Sequence, residues 1–304
     1  MWEPKLIMQN GELIPFADAG VHPLSLGFAY ATTVFEGIRA YHNPESGRFE
    51  LFRLEEHLSR LATGMRIMRF DRVFEPGYLR DCLIKLIRAN KPDDDVYIRL
   101  LVYIEAVGLM ATTGPVGFTM AAIPREKPKF AETGMSLGVS SWSRIADNAS
   151  PPRVKCTANY QNGRLAQIQA KADGYDGAVM LTRDGKVSET PIACIFIVRD
   201  GRLVTPGKSS DILESITRDS IMTLYRESEG RDAEEREIDR TELYFAEEIF
   251  ICGTGQEILP VTSIDRMPVG TGKVGALTAR LRQRYFDIVR GKVSDHPEWR
   301  TLVG

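Results

Sequence analysis

Paired turn residues between short apolar runs constrain the fold of this chain more than any other local pattern. Three such pairs occur: Asn10-Gly11, Asp184-Gly185 and Asp200-Gly201. Asn-Gly and Asp-Gly pairs at such positions predict β-hairpins with two-residue turns, which join antiparallel strands. A fold built only from regular strand–helix alternation is therefore not expected.

Helical periodicity appears between these hairpins and after them. Leu54, Leu58, Leu61, Met65 and Met68 recur at spacings of four and three, which predicts a helix over 52–68 with one apolar face. Further helices are predicted over 76–89, 162–172, 216–226, 241–246 and 273–289, and strands over 96–104, 117–123 and 135–141. Because hairpins and helices are mixed along the chain, the sequence predicts an α+β fold.

A polar segment bracketed by prolines marks the predicted domain boundary. Residues 124–129 read Pro-Arg-Glu-Lys-Pro-Lys, a composition typical of a linker. We predict an N-terminal domain over 1–123, a linker over 124–134 and a C-terminal domain over 135–304. A chain of 304 residues is long enough for two domains of medium size.

Composition argues against several classes of partner. The net charge of −2 gives no basic footprint for nucleic acid, and no apolar run approaches the roughly 18 residues of a membrane span. The start of the sequence does not resemble a signal peptide. The four cysteines are isolated in sequence, so neither a metal site nor a disulfide framework is indicated. We therefore expect a cytoplasmic protein that binds small molecules.

Three chemically distinct features follow one another in the second half of the chain. Lys155 lies near the start of a predicted helix, Glu189 ends a strand after an Asp-Gly turn, and Ser215 is a candidate N-cap for a helix starting at Ile216. Each is commonly only a surface charge or a capped helix end. In this order they match the needs of pyridoxal 5'-phosphate (PLP), which are an amine for its aldehyde, an anion for its ring nitrogen and N–H groups for its phosphate. The sequence thus predicts a PLP site with Lys155 as the catalytic residue.

Other candidate positions have two readings each. Tyr97 and Arg99 alternate along a predicted strand and should face one side of the sheet, where Arg99 needs a carboxylate from substrate or protein. Arg60, one helical turn beyond His57, is either a surface cation or a phosphate clamp. The glycine-rich stretch at Gly253 is either a tight turn or a nest of N–H groups for an anion.

A series of short motifs runs through nearly the whole chain in a fixed order. They are Phe35-Glu36-Gly37-Ile38-Arg39, Glu56-His57-Leu58-Ser59-Arg60-Leu61, Tyr97-Ile98-Arg99, Ser140-Ser141-Trp142, Lys155 with Asn159-Tyr160, Ser188-Glu189, Thr205-Pro206, Ile216-Thr217-Arg218 and Gly253-Thr254. In this order and spacing the chain resembles the branched-chain amino acid aminotransferases, PLP enzymes of class IV and fold type IV. The resemblance implies a two-domain α+β fold, with a small N-terminal α/β domain and a larger cofactor-binding domain that has a β-barrel-like sheet core.

The resemblance also implies roles toward the cofactor. Lys155 would bind PLP as a Schiff base and move the proton, Tyr160 would hydrogen-bond the phenolic oxygen, and Glu189 would pair with the ring nitrogen. Residues implied to hold the phosphate are Arg60, Ile216, Thr217 and Thr254, with Leu213 and Gly253 as further cofactor-binding positions.

Roles toward the substrate are implied in the same way. Tyr97 and the N–H groups of Thr254 and Gly255 would bind the α-carboxylate. Residues implied to shape the side-chain pocket are Tyr30, Phe35, Gly37, Arg39 and Arg99. The family works as a homodimer or larger homo-oligomer, in which a partner loop equivalent to Val107, Gly108 and Leu109 closes each site.

The activity implied is PLP-dependent transamination of L-leucine, L-isoleucine or L-valine with 2-oxoglutarate, which gives a branched 2-oxo acid and L-glutamate. Departures from the family pattern at Cys194, Ser215 and Gly255 leave alternatives open. These alternatives are an (R)-amine or D-amino acid transaminase, an enzyme like aminodeoxychorismate lyase, and a homologue without catalytic activity.

Overall fold

The computed structural model describes residues 3–43, 46–124 and 129–303. These residues form two compact units. Unit 1 comprises Met1–Glu126, Val154–Ala158 and Asp287–Gly304, and unit 2 comprises Lys127–Arg153 and Asn159–Phe286.

The strands, in chain order, are β1 (Leu6–Gln9), β2 (Glu12–Pro15), β3 (Thr33–Asn43), β4 (Arg48–Phe52), β5 (Val96–Ile104), β6 (Val116–Pro124), β7 (Met135–Ser143), β8 (Gly177–Leu181), β9 (Cys194–Arg199), β10 (Arg202–Pro206), β11 (Glu234–Arg236), β12 (Glu248–Gly253), β13 (Glu257–Ile264), β14 (Met267–Pro268) and β15 (Arg300–Val303). The α-helices are α1 (Leu26–Ala29), α2 (Leu54–Ile67), α3 (Pro76–Asn90), α4 (Thr157–Ala172), α5 (Ile216–Glu229), α6 (Glu242–Phe245) and α7 (Ala276–Val289). Across the described ranges, none of the helices combines the length and apolar character needed to cross a bilayer.

Unit 1 is organised around a seven-stranded antiparallel sheet with the order β15-β4-β3-β5-β6-β1-β2. Helices α2 and α3 contribute to the same hydrophobic core as this sheet. The predicted stripe of α2 is confirmed, since Leu54, Leu58, Leu61 and Met65 are buried, while Met68 at the C-cap is partly buried. Burial of this stripe is the main force that holds α2 in place.

Unit 2 contains an eight-stranded mixed sheet with the order β11-β10-β9-β12-β13-β7-β8, and β14 pairs with β13. The segment 186–188 links its two edge strands. Val187 pairs with Leu181 at the end of β8 and donates its N–H to the carbonyl of Ile238, which follows β11 (2.8 Å). Lys186 pairs with Asp239 beside it. The sheet therefore curls toward closure, in agreement with a β-barrel-like core.

The predicted hairpin turns occur where the sequence indicated them. Asn10 and Gly11 have φ of 50° and 92°, and Asp200 and Gly201 have φ of 51° and 68°, the left-handed conformation that two-residue turns of this kind require. At the third turn, Asp184-Gly185, the partner of β8 is an isolated bridge and not a full strand. The long strand β3 was not predicted, because its buried polar residues interrupt the apolar pattern.

Two helices begin elsewhere than predicted. Helix α4 begins at Thr157 and not at 162, because its first turn carries small and polar residues that give no apolar stripe. Helix α7 begins at Ala276 and not at 273, where the Glu248 carboxylate accepts the N–H groups of Leu277 (3.0 Å) and Thr278 (2.8 Å). This cap comes from a distant strand, so local sequence could not predict it.

Two segments beyond the predicted linker group with unit 1. Cys156 pairs with Val34 of β3, which places the segment around Lys155 there, and β15 pairs with β4 at the end of the chain. Arg290 adds an ion pair to Asp95 at 2.6 Å. The division into 1–123 and 135–304 stays a prediction, and residues 125–128 of the linker lie outside the described residues.

Candidate functional site

Lys155 lies on a short segment that is fixed to β3 of unit 1. The N–H of Phe35 donates to the carbonyl of Lys155 at 2.9 Å, and Val154 and Cys156 on either side are buried in the unit 1 core. The Lys155 Nζ lies 4.7 Å from the centre of the Phe35 ring. The amine is therefore presented from a backbone that packing and pairing hold in place.

Glu36, the next residue of β3, is a fully buried carboxylate held by two basic side chains of α2. Arg60 donates from Nε to Oε1 at 2.7 Å and from Nη2 to Oε2 at 2.8 Å, and His57 Nδ1 lies 2.7 Å from Oε2. His57 and Arg60 are three residues apart on α2, so they share one helix face. We call these three residues the Glu36 cluster. Arg60 is therefore no surface cation, and sequence reasoning gave Glu36 no role.

Burial and charge set the protonation of this cluster. Burial acts to raise the pKa of Glu36, but the Arg60 charge and the N–H donors of His57 and Arg60 outweigh it and lower the pKa from 4.5 to about 2. Burial lowers the pKa of His57, and Glu36 opposes this only in part. His57 Nε2 is buried and has no hydrogen-bond partner within the described ranges, so a proton there would be costly. The ring is thus neutral at pH 7, with its proton on Nδ1.

Five predicted substrate-binding residues share one face of the unit 1 sheet. In the register of β3 and β5, Arg39 is opposite Tyr97, Gly37 is opposite Arg99 and Phe35 is opposite Leu101. Directly opposed residues point to the same side of a sheet, which confirms the shared face of Tyr97 and Arg99. A Cβ at Gly37 would overlap the Tyr97 phenol, so only glycine fits there. Arg39 is buried and Arg99 is exposed.

The remaining candidate positions of unit 1 lie on exposed segments. Tyr30 ends α1 and is 51% exposed. The predicted partner loop exposes Val107 and Leu109 (60% and 82%), and Ser25 pairs with Val107. The two exposed segments are therefore joined through their backbones.

In unit 2, Glu189 is a buried carboxylate held from several sides. Its Oε1 lies 2.6 Å from Arg144 Nη2 and accepts the N–H of Leu213 at 3.3 Å, and its Oε2 lies 4.0 Å from Cys194 Sγ. Arg144 follows β7 and was not identified from the sequence. A buried charge requires a partner, but sequence alone did not show that Arg144 is buried.

The segment after Leu213 forms the N-terminus of α5. Ser215 is the N-cap, as predicted, and its Oγ accepts the N–H of Arg218 at 3.3 Å. Arg218 reaches back to the carbonyl of Pro206 at 2.9 Å and to Glu235 at 2.8 Å, which anchors this helix end to β10 and β11. Ile216 and Thr217 are buried in the first turn. Glu189 and a helix N-terminus, which favours anions, are thus connected through Leu213.

The other unit 2 candidates lie on α4 and after β12. Tyr160 is in the first turn of α4 and is partly buried. Gly253 ends β12 and its carbonyl accepts the N–H of Gln256 at 3.0 Å, so Thr254 and Gly255 form the tight turn between β12 and β13.

The candidates thus form two sets, one in each unit. The unit 1 set is Tyr30, Phe35, Gly37, Arg39, Arg60, Tyr97, Arg99, Val107, Gly108, Leu109 and Lys155, and the unit 2 set is Tyr160, Glu189, Leu213, Ile216, Thr217, Gly253, Thr254 and Gly255. Glu36 in the first set and Arg144 in the second are additions that the structure makes.

Comparison with known proteins assigns the chain to a family. The family model described as "Amino-transferase class IV" matches residues 33–264. The branched-chain-amino-acid aminotransferase of Salmonella typhimurium is 37% identical over 297 residues, which cover 95% of this chain and 94% of that protein. The chain belongs to the class IV aminotransferases, and within them to the branched-chain-amino-acid aminotransferases.

Solved structures support the same assignment. The branched-chain amino acid aminotransferase of Thermobaculum terrenum in its PLP form has a TM-score of 0.94 at 40% identity and covers 99% of each chain. That of Thermoproteus uzoniensis with norvaline has a TM-score of 0.93 at 35% identity, covering 99% of this chain and 100% of that one. A third, from T.th., complexed with N-(5'-phosphopyridoxyl)-L-glutamate, has a TM-score of 0.93 at 34% identity and covers 99% of each. The predicted fold and resemblance are confirmed.

Proposed function

We propose that this protein transfers the amino group of L-leucine, L-isoleucine or L-valine to 2-oxoglutarate with PLP as cofactor. The observation that carries this proposal is the arrangement in unit 2, where the buried Glu189 carboxylate is held by Arg144 and joined through Leu213 to the N-terminus of α5. An anion for a pyridine nitrogen and a helix end for a phosphate are two of the three groups that PLP requires.

The residues present fit PLP on chemical grounds. The donor set offers an amine at Lys155, a carboxylate at Glu189 and N–H groups at the start of α5. Bound PLP supplies an aldehyde that condenses with amines and a ring that withdraws electrons from the substrate Cα.

Lys155 carries the cofactor through its Nζ and, once displaced by the incoming amino acid, moves a proton at the substrate Cα. The apolar ring of Phe35 beside this amine favours its neutral, reactive form by excluding water. Arg60, whose guanidinium is held by Glu36, binds the phosphate.

Glu189 holds a proton on the ring nitrogen, and the Arg144 charge keeps Glu189 ionised for this task. The N–H groups of Ile216 and Thr217 bind the phosphate at the end of α5, together with Thr254. Tyr160 donates to the phenolic oxygen of the cofactor. Leu213 and Gly253 contact the cofactor through their backbones.

Substrate recognition is proposed for the residues on the shared face of β3 and β5. Tyr97 and the N–H groups of Thr254 and Gly255 bind the α-carboxylate. Residues that line the side-chain pocket are Tyr30, Phe35, Gly37, Arg39 and Arg99. Leucine and glutamate can use one pocket if an arginine there reaches the second carboxylate of glutamate, because an unpaired buried arginine would be costly.

The working form is proposed to be a homodimer or a larger homo-oligomer, located in the cytoplasm. Support comes from an exposed apolar surface on unit 1, which we call the 24–110 surface: Leu24, Phe28, Tyr30, Val107, Leu109 and Met110. Exposed apolar patches of this kind are typical of interaction sites. The four cysteines are buried free thiols, which suits a reducing compartment.

The test is an absorbance titration of the purified protein with PLP, followed by addition of L-leucine and then 2-oxoglutarate. We expect a visible band that L-leucine removes and 2-oxoglutarate restores. Borohydride treatment should fix the cofactor on Lys155, and Lys155→Ala should abolish turnover.

The matched control is Lys171→Ala, which removes an exposed lysine at the end of α4 and should leave both band and turnover unchanged. Cofactor fixed on a lysine other than Lys155, or no band at all, would contradict the proposal. Bleaching by D-amino acids or (R)-amines alone would favour the alternative substrates.

A further inference from the structure

The Glu36 cluster buries a carboxylate where the fold does not need one. The faces of β3 and α2 around it are already packed by apolar side chains such as Val34, Ile38 and Leu61. A buried ion pair is weak evidence for stability, since apolar residues of similar volume often serve as well. The arrangement of Glu36, His57 and Arg60 therefore calls for a reason other than packing.

The contacts fix the orientation of the Arg60 guanidinium. Glu36 takes the Nε and Nη2 edge of that group in a two-point contact, at 2.7 and 2.8 Å, and does not engage the Nη1 edge. Such a fork of parallel hydrogen bonds adds geometric specificity as well as energy. His57 braces the same carboxylate through Nδ1 at 2.7 Å, and its neutral ring adds no charge. Glu36 therefore receives three N–H donors that define its position.

The same stretch of strand also controls the lysine. Glu36 directly follows Phe35, whose N–H bonds to the Lys155 carbonyl and whose ring lies beside Lys155 Nζ. Two adjacent residues of β3 thus set the position of the amine on one side and of the guanidinium on the other.

We propose that Glu36 is a positioning residue, which holds Arg60 and is itself braced by His57 so that the guanidinium meets the cofactor phosphate already oriented. This rests on the proposed function, in which Arg60 binds that phosphate. An arginine that is free to change rotamer would lose that freedom on binding, and Glu36 removes this loss before the phosphate arrives. The benefit belongs to the phosphate group of the ligand and not to its ring.

Glu36→Asp is the sharpest test, because it keeps the charge and withdraws the carboxylate by about 1.5 Å. Cofactor is removed from the holoenzyme, and the dissociation constants of pyridoxamine 5'-phosphate and of pyridoxamine, which has no phosphate, are then measured. We expect about 10- to 30-fold weaker binding of pyridoxamine 5'-phosphate, from the rotamer freedom of one arginine, with little change for pyridoxamine.

The matched control is Glu50→Asp. Glu50 is a largely buried carboxylate of the same sheet that pairs with Arg300 at 3.1 Å, and it should alter neither dissociation constant. In an Arg60→Lys background, Glu36→Asp should add little further loss, because the two-point contact is already absent. Should Glu36→Asp not fold, His57→Leu removes the brace, and a smaller loss with the same phosphate selectivity is expected.

Equal loss for both ligands, or no loss for either, overturns the inference. The proposed function fails in a different way, since wild-type protein would then bind neither ligand. The two failures can therefore be told apart.

Discussion

Replacing Arg144 by methionine should cost unit 2 much of its stability. Arg144 Nη2 lies 2.6 Å from Glu189 Oε1, and the two side chains are only 6% and 5% exposed. Water cannot take over from the lost guanidinium, so Arg144→Met leaves a buried carboxylate without its cation. Breaking a buried pair from one side costs about 3–5 kcal/mol of unfolding free energy.

Urea unfolding of the protein without cofactor measures this cost. The matched control is Arg153→Met, whose ion pairs with Asp147 and Glu214 are about half exposed and should be worth about 1 kcal/mol or less. Removing both buried charges, with Arg144→Met and Glu189→Leu together, should recover most of the loss, since an apolar pair can replace a buried ion pair.

A functional consequence accompanies the loss of stability. Without the Arg144 charge the pKa of Glu189 should rise, so that this carboxyl takes up a proton as the pH falls. Turnover of Arg144→Met should therefore increase with pH more steeply than that of the wild type. A loss no greater than that of Arg153→Met, with an unchanged pH profile, would refute the reasoning.

Three further predictions concern single residues. Glu189→Gln should reduce kcat strongly with a modest change in PLP affinity, since ring protonation matters most in the transition state; near-normal turnover would make Glu189 a purely structural carboxylate. The Glu36 pKa of about 2, against 4.5 unfolded, means that its stabilising contribution is complete above about pH 5 and is lost as the pH falls toward 2, so Glu36→Gln should show a shallower acid dependence of unfolding free energy, and equal slopes would count against this. Leu109→Asp in the 24–110 surface should shift the protein toward monomer in light scattering, whereas Leu302→Asp on β15 should not; an unchanged mass for both would exclude that surface as the interface.

Local patterns predicted the elements whose signals are local. The Asn10-Gly11 and Asp200-Gly201 turns, the leucine stripe of α2 and the Ser215 cap each depend on residues within a few positions of one another, and each is confirmed. The order of Lys155, Glu189 and the start of α5 indicated PLP chemistry for the same reason.

Long-range partners set what the sequence could not predict. Cys156 pairs with Val34, more than a hundred positions away, and this pairing alone puts Lys155 with unit 1. Arg144 and Glu36 look like ordinary charged residues in the sequence, and only burial beside a distant partner makes them part of the site. Conversely, those partners are what a mutation at either position would expose.

The central claim is that this chain transaminates L-branched-chain amino acids through PLP on Lys155. Stopped-flow half-reactions of the PLP-loaded protein with L-leucine, D-alanine and (R)-1-phenylethylamine test it most directly. We predict that L-leucine removes the visible cofactor band fastest and that 2-oxoglutarate restores it. Faster bleaching by D-alanine or by (R)-1-phenylethylamine than by L-leucine would contradict the branched-chain assignment.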